Sequence, residues 1–557
     1  MNLNYKRTIC VGFAFFLICA FWQAYDNTIP LILTNKFGLS QFWSGVIMAL
    51  DNVLALFMLP LFGAISDKCN HRLGRRTPFI LVGTILAAVA FVGLSMVDNA
   101  QLKNISKVSK IDDPAALVEI YQSEQDTELQ MPDSTKFVLG KTFTEEEFKR
   151  IPAELILENG VLKEYRLDEN GKPVEDAPEY LLAARFNNSE RDKAMSHKEG
   201  KTFTNPHYTD YVVPARQAYA WSTTTHSTTP LIFFVLILLV VLISMSIFRS
   251  PAVALMPDVT IKPLRSKANA VINLMGSAGG ILVLVLGMVF ATSSVRHSLM
   301  SYTGYFGVIA GIMLLSLLIF KLTVKEPRFV RQMEQDSARF GIDEGGEADG
   351  SGSRRLSKGE RRSLFFLLAS IVLWFMGYNA ITSKYSVYAS NVLHKDYNLT
   401  LIIAQAAAII SYLPVGLLAS KVGRKKTILA GVVMLTTAFG VACFLSESTP
   451  TMLMNAMFAL AGIGWATINV NSFPMVVELC KGGNVGKYTG FYYTASMAAQ
   501  TVTPLFSGYL MDQFGMNTLF PYATIFAALA FTTMLFVMHG DNKPIAKKGL
   551  EALDVED

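Results

Sequence analysis

Apolar residues in this chain gather into long blocks separated by short polar breaks, instead of alternating or recurring at a surface-helix period. The first block runs from Thr8 to about Thr34. Others fall near 42–66, 78–98, 230–256, 268–293, 301–322, 363–389, 398–419, 427–446, 451–477, 488–511 and 517–538. A bilayer core takes ~20 residues of helix, so the pattern predicts twelve transmembrane helices. The first block follows Lys6 and Arg7 as a secretory signal would. It is too long for a signal h-region and lacks a small-x-small cleavage site, so a retained helix is expected. The predicted fold class is an all-α membrane protein of two six-helix halves with a small α+β extracytoplasmic insertion. Its expected parts are 1–98 (spans one to three), 99–229 (the insertion), 230–322 (spans four to six), 323–362 (a cytoplasmic linker), 363–538 (spans seven to twelve) and 539–557 (a cytoplasmic tail).

Lys and Arg in the short loops set orientation. Lys68, Arg72, Arg75 and Arg76 follow span two. Lys262, Arg265 and Lys267 follow span four. Arg328, Arg331, Arg354, Arg355, Lys358, Arg361 and Arg362 join spans six and seven, and Lys421, Arg424, Lys425 and Lys426 follow span eight. These alternate loops share one side, which the rule makes cytoplasmic, with both termini there. A multi-pass protein of the cell (inner) membrane is expected. The net charge of +5 reflects this sidedness and calls for no nucleic-acid partner. The insertion is opposite in sign, with 16 Lys and Arg against 22 Asp and Glu, a net of −6. Thr144 with Glu147 predicts a capping box for a helix at 145–151. Asn159-Gly160 and Asn170-Gly171 predict tight turns between β-prone runs. GKTFT at 140–144 recurs at 200–204.

Composition agrees, at 51% hydrophobic and 17% charged. Cys10, Cys19, Cys69, Cys443 and Cys480 show neither a disulfide framework nor zinc spacing. No nucleophile elbow, phosphate-binding loop or metal cluster is visible, so no enzyme, ATP-driven pump, cofactor or metal is expected.

The two halves repeat one another, a transporter signature. Trp22 matches Trp374, and Asp26 and Asn27 fall opposite Tyr378 and Asn379. Pro60, Gly63 and Gly74 match Pro414, Gly416 and Gly423. Asp258 pairs with Glu478 and Arg249 with Asn469 at one shared offset of 220, the same that pairs Lys267 with Lys487.

SDKCNHRLGRRTPFI at 66–80 resembles the loop signature of the major facilitator superfamily, and its long form ending in Pro-Phe is similar to that of the sucrose–proton symporters and the glycoside–pentoside–hexuronide:cation symporters. PDVTIKPLRSKANAVINLMGSAGG at 257–280 resembles the same group. The superfamily resemblance covers everything except 99–229 and implies the major facilitator fold and alternating access; the likeness to the sugar symporters rests mainly on these two segments of the first half and implies a sugar substrate. The expected gating motif is Gly63, Asp67, Gly74, Arg75, Arg76, Asp258, Arg265, Gly423, Arg424 and Glu478. Pairing of Asp67 with Arg75 and Arg76, or of these with Asp258, is expected to latch the two halves in one state and release them in the other.

Intramembrane charges are costly and mark function. Asp51 lies ten residues into span two, ~15 Å deep at the helical rise. Arg249 lies nine residues before Asp258, ~13 Å from the cytoplasmic end of span four. Asp26 sits in the outer half of span one. Arg249 needs a carboxylate partner, and a carboxylate freed from it gains affinity for a proton. Asp51 is the first candidate carrier and Asp26 the second. The resemblance favours proton over sodium: melibiose-type relatives bind sodium through paired Asp residues where this chain has Ala55 and Leu59, although the carrier Asp of plant sucrose symporters falls at Leu242 here. The neutral candidates for substrate binding are Trp22, Asn27, Asn273, Tyr378, Asn379, Gln405, Trp465, Asn469, Tyr492, Tyr493 and Gln500. Aromatic faces and amides suit a neutral sugar. Lys384, near the outer end of span seven, is expected to snorkel. The expected partners are a small-molecule substrate, a coupling proton and the lipid bilayer. The alternatives are a proton-coupled exporter of drugs or metabolites and a membrane receptor or scaffold displaying the insertion. Polar residues inside the helices of both halves argue against the last.

Overall fold

The computed structural model describes residues 3–106, 113–131, 133–168, 172–174, 178–180, 194–195, 197–261, 264–294, 298–340, 356–446, 449–479 and 485–539. Long helices occupy each apolar block. In the first half these are α1 (Tyr5–Asn35), α2 (Gln41–Met48) running almost continuously into α3 (Leu50–Asp67), and α4 (Thr77–Asn104). Beyond the insertion come α9 (Thr229–Val259), α10 (Arg265–Val289) and α11 (Thr303–Thr323). A linker helix, α12 (Glu326–Phe340), leads to the second half: α13 (Lys358–Tyr388), α14 (Tyr397–Val422), α15 (Arg424–Ala442), α16 (Thr451–Glu478), α17 (Val485–Phe514) and α18 (Leu519–Leu535). Among the described residues, ten helices are long and apolar enough to cross a membrane. Each half has its own apolar core, one around Phe21, Phe91 and Phe306 and the other around Trp374, Tyr385 and Phe520. Leu56, Phe57, Val89, Leu236 and Phe365 point outward as an apolar belt, the pattern a lipid solvent favours.

Small residues set the helix spacing. A Cβ at Gly279 of α10 would lie 2.4 Å from the Phe16 carbonyl of α1. Across the halves, a Cβ at Gly45 would lie 2.1 Å from the Pro504 carbonyl, and one at Gly508 would lie 2.4 Å from that of Gln41.

The insertion is built on its own core, around Leu117, Phe143, Phe148, Leu155 and Tyr208. It comprises α5 (Pro114–Glu124), β1 (Glu128–Gln130), β2 (Lys136–Val138), α6 (Leu139–Thr142), α7 (Glu145–Phe148), β3 (Glu154–Glu158), β4 (Val161–Glu164), β5 (Thr202–Thr204) and α8 (Val213–His226). β1 pairs with β2, and β3 is flanked antiparallel by β4 and β5. The Thr144–Glu147 capping box is present and opens α7, which is shorter than the sequence pattern suggested. Asn159 and Gly160 take φ of 53° and 73° in the β3–β4 turn, as a two-residue hairpin requires. Asn170-Gly171 lies outside the described residues. The repeated GKTFT is not a structural repeat: 140–144 forms the end of α6 and a cap, whereas 202–204 is strand β5.

Candidate functional site

A cavity of about 190 Å³ lies between the halves. The first half contributes Trp22 and Asp26 from α1, Met48 from α2, Asp51 and Asn52 from α3, and Arg249 from α9. The second half contributes Asn379, Thr382 and Ser383 from α13, and Gln500 and Pro504 from α17. Two carboxylates, 25 residues apart in sequence, and a guanidinium from a third helix therefore face one space with amides and hydroxyls.

The Asp51 carboxylate accepts from the Asn52 backbone N–H at 2.6 Å and from its side-chain amide at 2.8 Å. The Arg249 guanidinium lies over the Trp22 ring, 5.5 Å from its centroid, a cation–π contact. It acts on both Asp26 and Asp51 electrostatically, but among the described residues no ion pair joins it to either. The direct Arg249–carboxylate pair expected from the sequence is thus replaced by an aromatic face and a charge acting across the cavity. The Trp22 indole N–H and the Asn379 amide nitrogen are buried donors without a hydrogen-bond partner among the described residues. Buried donors are ordinarily satisfied, so both are suited to a polar ligand.

Of the sequence candidates, Trp22, Asp26, Asp51, Arg249, Asn379 and Gln500 line this cavity. Others lie outside the lining. Tyr378 is stacked on Trp465 at 3.6 Å and 4°. Tyr492 packs edge-on against Tyr493 and shares a 3.2 Å hydrogen bond with Ser472. Gln405 donates to Gln23 of the opposite half at 2.5 Å. Asn27 is buried, its amide nitrogen without a hydrogen-bond partner among the described residues; Asn273 and Asn469 are partly buried. Asn52, Thr382, Ser383 and Gln23 were not singled out by sequence. Asn52 and Gln23 each adjoin a chosen residue, and Thr382 sits one turn from Asn379, so helical spacing from known candidates was the available signal.

At the opposite end of the bundle from the insertion, Arg76 binds Asp67 at 2.5 Å, Asp258 at 2.9 Å and the Ser66 hydroxyl at 2.5 Å; Arg75 reaches Asp258 at 3.7 Å. These pairs join α3, α4 and α9 within the first half. They do not latch one half to the other, because all three helices belong to one packed body. Glu326 of the linker helix, absent from the sequence candidates, accepts from the backbone N–H groups of Arg75 (2.7 Å), Arg76 (3.0 Å) and Thr77 (2.8 Å), capping α4. Gly74 has φ +114°, and a Cβ there would lie 2.2 Å from the Glu326 carboxyl carbon. A Cβ at Gly63 would lie 3.0 Å from the Ser250 hydroxyl, and Gly423 takes φ +95° between α14 and α15, with Arg424 opening the latter. Arg265 opens α10 and Glu478 closes α16, but their side chains lie outside the described set.

Hydrogen bonds between the halves gather at the insertion end. Ser293 donates to Asp396 at 2.9 Å, and the Thr292 and Tyr397 hydroxyls meet at 2.7 Å. Lys384 does not snorkel. It is fully buried and donates to the Gln41 carbonyl at 2.6 Å, because the start of α2 packs over it and offers an acceptor.

Comparison with known proteins adds the family context. A profile of the Major Facilitator Superfamily matches residues 217–411 and 394–553, and one described as MFS/sugar transport protein matches 10–103. The chain is 36% identical over 92 residues to "Proton-associated sugar transporter A" of Homo sapiens, covering 16% of this chain and 11% of that protein. It is 34% identical over 56 residues to "Sucrose transport protein SUC4" of Arabidopsis thaliana, covering 10% of this chain and 11% of that one. The matched stretch is thus about a tenth of each relative's length. In solved structures, the inward-open xylose transporter XylE from E. coli aligns with TM-score 0.53 at 15% identity, over 99% of this chain and 98% of that chain. A bacterial homologue of the iron transporter ferroportin, inward-facing, aligns with TM-score 0.53 at 12% identity, over 96% and 99%. At such identities the likeness concerns the fold alone.

Proposed function

Because the chain belongs to the major facilitator superfamily, we propose that it is a secondary transporter carrying a neutral sugar or glycoside with a proton by alternating access. Twelve helices span the membrane in two six-helix halves. The basic loops and both termini are cytoplasmic. Residues 99–229 are an extracytoplasmic α+β domain. The observation that carries this reading is the cavity between the halves, where Asp26, Asp51 and Arg249 share one space with Trp22, Asn379 and Gln500. Amides, hydroxyls and an indole suit sugar hydroxyls and the apolar face of a ring. A carboxylate whose field from Arg249 weakens as the helices move gains proton affinity, so proton and sugar each bias which side is open. Asp51 is the first-choice carrier and Asp26 the second. The names of the matched relatives, a proton-associated sugar transporter and a sucrose transport protein, support the same class.

The test is uptake by purified protein in liposomes, screened over mono- and disaccharides with and without a pH gradient. Accumulation of a sugar only with an inwardly directed proton gradient is expected. One observation favours a second reading: two carboxylates face one guanidinium in the cavity, which suits a cationic substrate. Binding of cationic or lipophilic compounds with none of any sugar would establish that reading and overturn the first.

A further inference from the structure

Asp512 lies in the last turn of α17 (Val485–Phe514). A carboxylate at a helix C-terminus faces the negative end of that helix's dipole, where it is unfavourable. Its side chain turns instead to the start of α2 in the other half, accepting from the backbone N–H groups of Gln41 and Phe42, each at 2.8 Å. Those are two of the N–H groups a helix start leaves unpaired, and they lie at the positive end of the α2 dipole. Lys384, also of the second half, grips the same residue from the other side by donating to the Gln41 carbonyl at 2.6 Å. The Asp512 carbonyl, in turn, accepts from the Gln130 side chain of the insertion at 2.9 Å.

The insertion itself is anchored to the first half. Thr224 of α8 donates to the Phe37 carbonyl at 3.0 Å, and Gln101 of α4 donates both to Thr224 at 3.1 Å and to the Lys36 carbonyl at 2.8 Å. A Cβ at Gly38 would lie 2.4 Å from the Gln217 carbonyl, so α8 sits directly on the backbone after α1. The insertion is therefore joined to the segment that leads into α2, and both the insertion and α2 are bonded to the second half at Asp512.

We propose that Asp512 is the hub of a three-part gate at the insertion end, in which its carboxylate and Lys384 hold α2 while its carbonyl holds the insertion, making the insertion a moving part of the gate. Opening the cavity towards that end separates all these bonds together. It also frees the carboxylate, the ammonium and the α2 N–H groups to water, which makes the closure reversible. The inference rests on the external placement of the insertion proposed above.

The test uses the full chain with its five cysteines replaced and one reporter, Thr382→Cys, in the cavity. The probe is a charged, membrane-impermeant maleimide, applied to right-side-out and inside-out vesicles. Asp512→Ala and Lys384→Met should each raise the labelling rate from the insertion side by about tenfold or more. Gln130→Ala should raise it several-fold, each lost hydrogen bond being worth roughly 0.5–1.5 kcal/mol, or about two- to twelvefold. Should Asp512→Ala fail to fold, Asp512→Asn, which keeps one acceptor oxygen, should give an intermediate rise. Unchanged rates in the Asp512 and Lys384 variants overturn the gate, and an unchanged rate in Gln130→Ala removes the insertion from it. If the proposed topology is inverted, the same rate changes appear in vesicles of the opposite orientation, so the two failures are distinguishable.

Discussion

Replacing Lys36 with Met tests how firmly the insertion end of the first half is held together. Lys36 follows α1, and its ammonium donates to both oxygens of Asp98 on α4, at 2.7 and 2.6 Å, and to the Met300 carbonyl at 2.7 Å. It also lies 4.7 Å from the centroid of the Tyr302 ring, and both members of the pair are 0% exposed. Lys36→Met keeps the length and apolar bulk of the side chain but leaves the Asp98 carboxylate buried without its counter-charge. Breaking a buried pair from one side costs about 3–5 kcal/mol. At roughly 2–4 °C per kcal/mol for larger domains, the apparent Tm should fall by about 6–20 °C. Replacing both partners, Lys36→Met with Asp98→Leu, removes the stranded charge and should recover much of the loss. Thermal unfolding of the purified single and double variants, followed by the rising reactivity of the partly buried cysteine thiols, measures this. A double variant as destabilised as the sum of the two singles would refute the reasoning, because the pair would then carry no coupling.

Asp51→Asn should abolish uphill sugar accumulation while leaving exchange measurable in liposomes; normal accumulation with an unchanged pH profile would pass the carrier role to Asp26. Gly74→Ala should destabilise more than Gly160→Ala in the same unfolding assay. Both positions carry positive φ, which costs roughly 1–2 kcal/mol for an L side chain, but a Cβ at Gly74 would also strike Glu326, whereas one at Gly160 would meet nothing within 4 Å among the described residues. His394 is pushed down to about 4 by burial, against an upward pull from its hydrogen bond to the Ser390 carbonyl and with smaller downward pushes from Lys395 and His197. Its folded pKa lies below the unfolded value of about 6.5, so its neutral form supports the fold above that value and the support is lost as pH falls towards 4. His394→Gln should therefore flatten the fall in Tm between about pH 6.5 and pH 4 relative to the parent.

Much of the architecture is legible in the chain itself, because it follows from local chemistry. A run of some twenty apolar residues has few ways to satisfy its backbone in lipid other than as a helix, and long helices do occupy those runs. The Thr144–Glu147 cap and the Asn159-Gly160 turn are likewise local, their partners lying within a few residues. Membership of the cavity was only partly legible. Each residue along a helix turns its side chain by about 100°, so neighbours part company: Asn379 faces the cavity while Tyr378 stacks on Trp465. The same five residues, GKTFT, end a helix at one place and enter a strand at another because their surroundings differ. What tertiary structure alone decided are the pairings between groups far apart in the chain. Lys384 reads as a snorkelling residue until the start of α2 is laid over it. Glu326 reads as a linker charge until it caps α4. Asp512 reads as an ordinary helix-end carboxylate until Gln41, 471 residues away, offers it a backbone N–H. A charged group's role depends on which counter-charge or dipole replaces its lost water, and for these residues that partner is supplied only by the packing of one helix against another.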